Sequence, residues 1–595
     1  MTPAALGVAL AIVGTIVVLA VTATMNDPDM WQHLLVGRAM WQLHSIPRTN
    51  LWTWPTHGAP YVLPSWLFRV MLWPFWAAGG LTGLFVWRWL TTLAAFALLW
   101  RTARRAGATG VAPLVLFAWC ALFYRQRSQL RPDSLVAVLL ALELWLLESR
   151  RNGRAIPLAW LALVGWAWVN AHISYPLFFL VAGAYLLDAL WRARPGSIRR
   201  GDSPRALALA TAVTAALAFL NPFGWETLRQ PFDYVLHWRH EPIYQSIVEL
   251  RGLDWAYNAR NGFAAFCAVA FVLALVRAVR EGPDFAEWLL VPALLAQTIS
   301  SQRFIGYFAL VAAPFAARDL ASALSGVRWP RLLAAPLTRS ALAGAAALAL
   351  AIPELARPGL PIAIGLAPFA YPVHACDWMA RHGVRGRGFS PFYAGGYLLW
   401  RFWPDPGRLP FMDIHQTGTP HDRDLYAYAW ADRGAWNELD AERRFDWVIL
   451  FRHHGTAAHL LDYLDSDPNW ALVFADDAAA LFLKRGGSMA ALADSAAYTK
   501  VPAGDERLSQ MASQVEADPQ FRDETREELR RQIADSPLTG QARSQLANLE
   551  ALDGRWASAL GLLQQAGHID PDLPRLAERE DSARQHLATE RGTSR

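Results

Sequence analysis

The chain has 595 residues, of which 54% are hydrophobic and only 18% charged, with a net charge of +5. Soluble domains carry about a quarter charged residues, so this composition excludes an ordinary water-soluble protein, and the length implies more than one domain. The basic excess is almost all arginine, with lysine only at Lys484 and Lys500, and no basic run interleaves with aromatics, which argues against nucleic acid as a partner.

The apolar excess ends near residue 355. A spanning helix needs ~20 mostly apolar residues. Candidate spans are 3–23, 81–100, 111–126, 134–148, 157–171, 173–191, 206–220, 261–279, 285–300, 303–317 and 340–354, about eleven in all. The first lacks the basic region of a secretory signal and is expected as an uncleaved membrane helix. Loop charge sets the orientation. Arg101, Arg104 and Arg105, then Arg150, Arg151 and Arg154, then Arg192, Arg194, Arg199, Arg200 and Arg205 fall on one side. Arg277 and Arg280, then Arg318, Arg328, Arg331 and Arg339 fall there too, which makes that side cytoplasmic. The opposite face then carries the long loop 24–80, the segment 221–260 and everything after 354.

The first loop predicts two helices, Asp29 to Leu43 with Trp31, Leu34, Leu35 and Trp41 on an apolar face, and Pro60 to Trp76 with Trp66, Leu67, Val70, Met71, Trp73 and Trp76. Such faces lie along a bilayer surface. Beyond residue 371 the pattern shortens. Val373–His382 predicts a helix, and Leu409–Asp413, Asp446–Phe451, Leu472–Phe474 and Ala480–Leu483 predict strands, giving a small α/β domain over 371–486. Residues 500–595 predict a helical tail. Within it Gln541–Ala566 reads as one tetratricopeptide-like hairpin, a unit that cannot bury its own face alone. Cys120, Cys267 and Cys376 make neither a disulfide framework nor a metal-finger spacing.

The chemistry-bearing residues cluster at the expected outer face. Asp27, Asp29 and His33 follow directly after the first apolar run, and ionisable groups at a membrane boundary are functional candidates. A helix starting at Asp29 puts Asp29 and His33 on one face, with Asp27 placed to cap it. An acid there could take a proton from an attacking hydroxyl, or two oxygens and an imidazole could hold a divalent cation such as Mg2+ or Mn2+. Arg125, Arg127 and Arg131 break the loop-charge pattern and need an anion. A phosphate suits the arginine fork; pairing of Arg131 with Asp133 or with the first loop is the competing explanation. Asn170 and His172 occupy a short turn between two apolar runs, Asn221 ends another, and Arg303 opens the next. An arginine at that depth should meet an anion inside the protein. His237, His240 and Glu241 form a further group whose spacing permits a metal.

Taken together, these motifs resemble the membrane-embedded GT-C-type glycosyltransferases and their bacterial relatives. The resemblance runs over residues 1–485. It rests on Asp27-Pro28-Asp29-Met30-Trp31-Gln32-His33-Leu34, Gly37-Arg38, Ser45-Ile46-Pro47-Arg48-Thr49-Asn50 and Ser65-Trp66-Leu67. It continues with Arg131-Pro132-Asp133, Asn170-Ala171-His172, Asn221-Pro222-Phe223-Gly224, Gln302-Arg303, Gly395-Gly396-Tyr397 and Phe411-Met412-Asp413. The chain departs from the pattern at Gln32, where many relatives have a second tryptophan, and at Ile173, where they have glycine. The predicted fold is therefore an α-helical polytopic membrane protein with a GT-C-like domain over 1–355, a small α/β soluble domain and a helical, TPR-like tail.

The resemblance implies an inverting glycosyltransferase using a polyprenyl-phosphate sugar and a glycan, lipid or protein acceptor at the extracytoplasmic face of the cytoplasmic membrane. It maps the catalytic acid to Asp27 or Asp29 with His33 beside it. Arg127, Arg131 and Arg303 then become the donor-phosphate residues, and Asn170, His172 and Asn221 substrate contacts. A divalent cation, if used, would sit on Asp27 and Asp29. The α/β domain would cover the site or hold the acceptor, and the tail would bind a protein partner. Two other readings of the same residues stay open: a non-catalytic envelope scaffold and a transporter of lipid or polyanion.

Overall fold

The computed structural model describes residues 2–194, 202–330, 335–452 and 458–593. Arg199, Arg200 and Arg331, used above for loop charge, lie outside the described residues. Two units emerge, one of residues 1–48 and 60–366, the other of 49–59 and 367–595.

The first unit is helical throughout. Its helices are α1 (Pro3–Val21), α2 (Met30–Leu43), α3 (Trp66–Ala106), α4 (Pro113–Tyr124), α5 (Asp133–Arg151), α6 (Ala159–Ala171) and α7 (Pro176–Arg192). They are followed by α8 (Pro204–Leu217), α9 (Trp225–Leu236), α10 (Pro242–Ser246), α11 (Phe263–Glu281), α12 (Phe285–Ser300), α13 (Ile305–Ala323) and α14 (Pro336–Leu355). Each of the eleven apolar segments falls on a helix. Among the described residues, five stretches are long and apolar enough to cross a membrane: Pro3–Val21, Trp66–Ala106, Phe263–Glu281, Gln302–Ala323 and Pro336–Leu355.

The expected helix Pro60–Trp76 begins later, at Trp66. Pro64 drives the residue before it toward an extended conformation, and the Tyr61 N–H donates to Arg48 O at 2.9 Å instead of entering a helix. The stretch from Trp66 to Ala106 is two helices in tandem, as expected, meeting at a kink where Gly80 leaves the helical region with φ 53° and ψ −134°, a conformation glycine reaches without a Cβ penalty. Helix α2 packs on the first half of α3 so closely that a Cβ on Gly37 would lie 2.4 Å from Arg69 O, which accounts for glycine in the Gly37-Arg38 motif. Helices α1 and α14 pack equally close. Ser340 Oγ donates to Ala5 O at 2.6 Å, and a Cβ on Gly344 would meet Ile12 at 2.7 Å.

Helix α5 carries an ionic cluster at each end. Near its last turn, Arg151 pairs with Asp284 at 2.8 Å, Asp188 at 3.1 Å and Glu148 at 3.2 Å. Arg318 pairs there with Asp284 and Glu287 at 2.6 Å. These buried pairs hold together the ends of α5, α7, α12 and α13. At 1.5 Å per residue, 19 residues separate the two clusters by about 27 Å, close to the thickness of a bilayer's hydrocarbon core.

The second unit holds a four-stranded sheet of β1 (Gly388–Phe389), β2 (Trp447–Phe451), β3 (Trp470–Ala475) and β4 (Ala479–Lys484), in the order β1-β2-β4-β3. The β1–β2 pair is parallel, and the other pairs are antiparallel. The helices here are α15 (Val373–Arg381), α16 (Phe392–Phe402), α17 (Pro420–Tyr428), α18 (Arg433–Arg443), α19 (Ala458–Ser466) and α20 (Ala490–Ala496). The tail adds α21 (Asp505–Ala517), α22 (Pro519–Asp535), α23 (Gly540–Leu552), α24 (Trp556–Ile569) and α25 (Leu576–Thr593), each packed on the next.

Leu409–Asp413 is not a strand. Pro410 has no N–H to give a ladder. The Asp413 carboxylate accepts from the His415 and Thr417 N–H groups, both at 3.1 Å, and turns the chain. Residues 49–59, part of the long first loop in sequence, cluster with this unit. Trp54 N–H donates to Pro410 O at 3.2 Å, and its Nε1 to Gly388 O at 3.1 Å. Asn50 shapes that excursion, its Nδ2 reaching Thr53 and Thr56 hydroxyls and its Oδ1 taking the Trp52 N–H.

Candidate active site

At the end of the bundle where α2, α5 and α13 begin, side chains from distant parts of the sequence converge. Asp27 lies in the turn between α1 and α2. Its Oδ1 accepts the Asp29 N–H at 3.1 Å, so Asp27 closes the turn before the helix instead of capping the helix itself. Asp29 occupies the N-cap position without a side-chain cap bond. Both carboxylates turn to the same nitrogen: Arg131 Nε lies 3.0 Å from Asp27 Oδ1 and 3.1 Å from Asp29 Oδ2. The competing explanation for Arg131 is thus realised in its second form, pairing to the first loop.

The two acids differ in access. The Asp27 side chain is 3% exposed and that of Asp29 is 26% exposed. Burial raises the Asp29 carboxyl to about 7, with Arg131 pulling down and the like charges of Asp27 and Glu249 pushing up. A carboxyl that titrates near neutrality and still reaches solvent is suited to taking a proton at working pH.

His33 is buried. Its Nδ1 accepts from Arg69 Nε at 3.1 Å, and its ring meets Phe68 edge-on at 5.3 Å. It fastens α2 to α3.

Around Arg131 stand two more arginines and two more acids. Arg127 Nη1 is 2.8 Å from Glu249 Oε2, and Arg131 Nη1 donates to the same oxygen. Arg303 makes only long contacts, at 3.9 Å to Glu249, 4.0 Å to Asp133 and 3.4 Å to His172 Nε2. It is 28% exposed. Asp133, the first residue of α5, accepts from Tyr307 Oη at 2.6 Å. His172 Nδ1 lies 2.7 Å from Ser174 Oγ, and burial pushes this imidazole down to about 4, so it stands neutral at physiological pH. Burial alone would raise the Glu249 carboxyl, but Arg131, Arg127 and Arg303 hold it well below the usual range. A cavity of about 10 Å³ lined by Tyr124, Arg127, Asp133, Arg303, Gly306 and Tyr307 has room for about one water.

The structure does not bring every candidate here. Asn170 accepts from Trp66 Nε1 at 2.8 Å and donates to Trp166 O at 2.9 Å, so its amide joins α6 to the start of α3. Asn221 spends its amide within its own turn, on Ala218 O, Gly224 O and Phe223 N. Arg125 turns to Glu354. His240 Nε2 takes Arg239 Nε at 3.2 Å. Glu249, Asp133 and Tyr307 were missed as site residues. The available signal was charge balance, since Arg127, Arg131 and Arg303 need more anion than the first loop supplies.

The donor set does not fit a divalent cation as it is arranged. A guanidinium already bridges Asp27 and Asp29. No group of three His, Cys, Asp or Glu side chains placed to hold a metal occurs among the described residues.

No family model matches the chain, and no curated protein matches it in sequence. Solved structures do. The oligosaccharyltransferase AglB from Archaeoglobus fulgidus, in complex with an inhibitory peptide and a dolichol-phosphate, is similar with a TM-score of 0.53 at 11% identity, over 75% of this chain and 69% of that one. ArnT from Cupriavidus metallidurans is similar at 0.48 and 12% identity, over 80% of this chain and 96% of that one. The arabinofuranosyltransferase AftD from Mycobacteria is similar at 0.44 and 17% identity, over 81% of this chain and 40% of that one. At these identities the likeness is one of fold, and the chain has a polytopic, GT-C-like membrane fold.

Proposed function

We propose that this chain is an inverting glycosyltransferase that moves a sugar from a polyprenyl-phosphate donor to an acceptor hydroxyl at the extracytoplasmic face of the cytoplasmic membrane. The observation that carries the reading is the meeting of a partly exposed acid, Asp29, with three arginines within one ionic cluster. Transfer from a lipid phosphate needs both signs of charge, a base for the incoming hydroxyl and cations for the departing phosphate. The AglB structure of similar fold holds a dolichol-phosphate, which fits the same donor class here.

In this reading Asp29, the more accessible acid, takes the proton from the acceptor hydroxyl as its oxygen attacks the anomeric carbon. The bond from that carbon to the phosphate oxygen breaks on the opposite side, the electron pair leaves with the lipid phosphate, and the configuration inverts. Arg303, solvent-reaching and only loosely paired, stabilises the charge developing on the phosphate. Asp27 and Arg131 position Asp29, and His172 and Asp133 position Arg303. His33 and Asn170 act through the packing of α2, α3 and α6, and Asn221 through the turn that follows α8. We assign residues 1–355 to the membrane domain, 371–486 to acceptor handling and 500–595 to a protein partner, with the segments after 354 extracytoplasmic.

The donor half is tested by binding of a labelled polyprenyl phosphate to the protein in nanodiscs. Wild type should bind, and Arg303→Ala should bind at least about tenfold more weakly. Equal binding would remove Arg303 from the donor site. Labelling of single cysteines placed in the tail, from outside intact cells, tests the topology; protection from a membrane-impermeant reagent would reverse it.

A further inference from the structure

We propose that Glu249 is an internal stand-in for the donor phosphate, a carboxylate that occupies the arginine site at rest and swings out when a lipid phosphate enters. The inference rests on the donor reading above.

Glu249 is where an anionic ligand would be. Its Oε2 takes Arg127 Nη1 at 2.8 Å and Arg131 Nη1, and its Oε1 lies 3.9 Å from Arg303 Nη1. One carboxylate thus meets the three arginines of the site. A phosphate makes the same demand, several guanidinium donors around one compact anion.

Charge balance shows why both cannot stay. Arg127, Arg131 and Arg303 face Asp27, Asp29, Asp133 and Glu249, three cations against four carboxylates. The donor phosphate, esterified to both lipid and sugar, adds one further negative charge, and the lipid monophosphate left after transfer about −1.5 to −2, so its entry favours the departure of a carboxylate.

Glu249 is the one placed to leave, Asp29 being kept in the site as the base. Asp133 opens α5 and is held by Tyr307, and Asp27 is buried in its turn by the Asp29 N–H. Glu249 instead sits on the three-residue turn Val248–Leu250, between α10 and α11, with its side chain 23% exposed. Its backbone is tied independently of its carboxylate. Ser301 Oγ donates to Glu249 O at 3.3 Å, and Gln302 Nε2 to Val248 O at 2.7 Å. Gln302 N–H also donates to Arg251 O at 2.9 Å. The carboxylate can therefore rotate away through its own side-chain torsions while the segment stays docked beside Arg303. Its departure leaves Arg127 with the longer 3.9 Å contact to Asp133 and Arg131 on Asp27 and Asp29. The site is thus kept assembled, and closed to loose anions, until a ligand with enough binding energy displaces the carboxylate.

The test compares wild type, Glu249→Gln and Glu249→Asp as full-length protein. Two probes are used: inorganic phosphate at millimolar concentration, read by unfolding temperature in detergent, and a polyprenyl monophosphate, read by direct binding in nanodiscs. Inorganic phosphate should raise the unfolding temperature of Glu249→Gln and leave wild type unmoved. The lipid should bind Glu249→Gln at least about tenfold more tightly than wild type, because a competing close charge pair is gone. Glu249→Asp, which keeps the charge but shortens the reach, should fall between, and it serves alone if the glutamine variant does not fold. Lipid affinity unchanged or weakened in both variants, with phosphate shifting neither, overturns the proposal. A phosphate response in Glu249→Gln without sugar transfer by wild type would keep the Glu249 assignment and sink the transferase reading. Transfer by wild type with equal lipid affinity across the variants would do the reverse.

Discussion

Arg131 is the cation on which the first-loop acids depend, and a double-mutant cycle with Asp27 measures that dependence. Arg131→Gln removes the charge but keeps some of the side chain's bulk. It strands Asp27 and Asp29, whose side chains are 3% and 26% exposed, while Glu249 keeps Arg127 at 2.8 Å. Removing one partner of a buried pair costs ~3–5 kcal/mol. Water can reach Asp29, so we expect the lower end, about 3 kcal/mol. Asp27→Asn alone leaves Arg131 two other carboxylates and should cost ~1 kcal/mol, a lost charged hydrogen bond partly replaced by a neutral one. Together the changes should cost less than their sum, with a coupling of at least ~1 kcal/mol, as contacting residues show. Equilibrium unfolding in mixed micelles of mild and denaturing detergent reads all four species. Additivity within ~0.5 kcal/mol would mean that the 3.0 Å contact carries no coupling.

Three other expectations follow from the same geometry. With the Asp29 carboxyl raised to about 7, kcat/KM for transfer should rise with pH up to that value and level off above it, since the base works only when ionised; a profile flat between about pH 5 and pH 8 would exclude Asp29 as the base. A Cβ on Gly306 would lie 2.9 Å from Arg127 Cβ, so Gly306→Ala should displace Arg127, costing ~1–3 kcal/mol of stability by overpacking and lowering transfer more than stability alone explains. In the second unit, the Asp477 carboxylate accepts the Gly540 and Gln541 N–H groups at the start of α23. Asp477→Ala should cost ~1–2 kcal/mol and fray that helix, seen as faster amide exchange at its first turn.

What could be read from the sequence follows from how far the decisive interactions reach. A bilayer demands apolar runs of fixed length, and five such stretches among the described residues are helical. The acids after the first run were visible for the same reason, as charge at a boundary where charge is costly. Glu249 was not visible as a partner, because Arg131 and Arg127 stand 118 and 122 residues away from it, and no periodicity reports such a pairing. The placement of residues 49–59 failed similarly, since Trp54 reaches Gly388 and Pro410 across more than three hundred residues. Leu409–Asp413 shows the opposite failure. Its local pattern suits a strand, but Pro410 and the Asp413 turn override it.

In the proposed function Asp29 drives transfer of a sugar from a lipid phosphate. This role is tested most directly by reconstituting wild type and Asp29→Asn in liposomes with labelled polyprenyl-phosphate sugars and an extract of candidate acceptors. Label should leave the donor lipid and appear in an acceptor with wild type, and the asparagine variant, folded to the same unfolding temperature or higher, should be slower by ~10²–10⁴. Equal product from the two proteins would exclude Asp29 as the base.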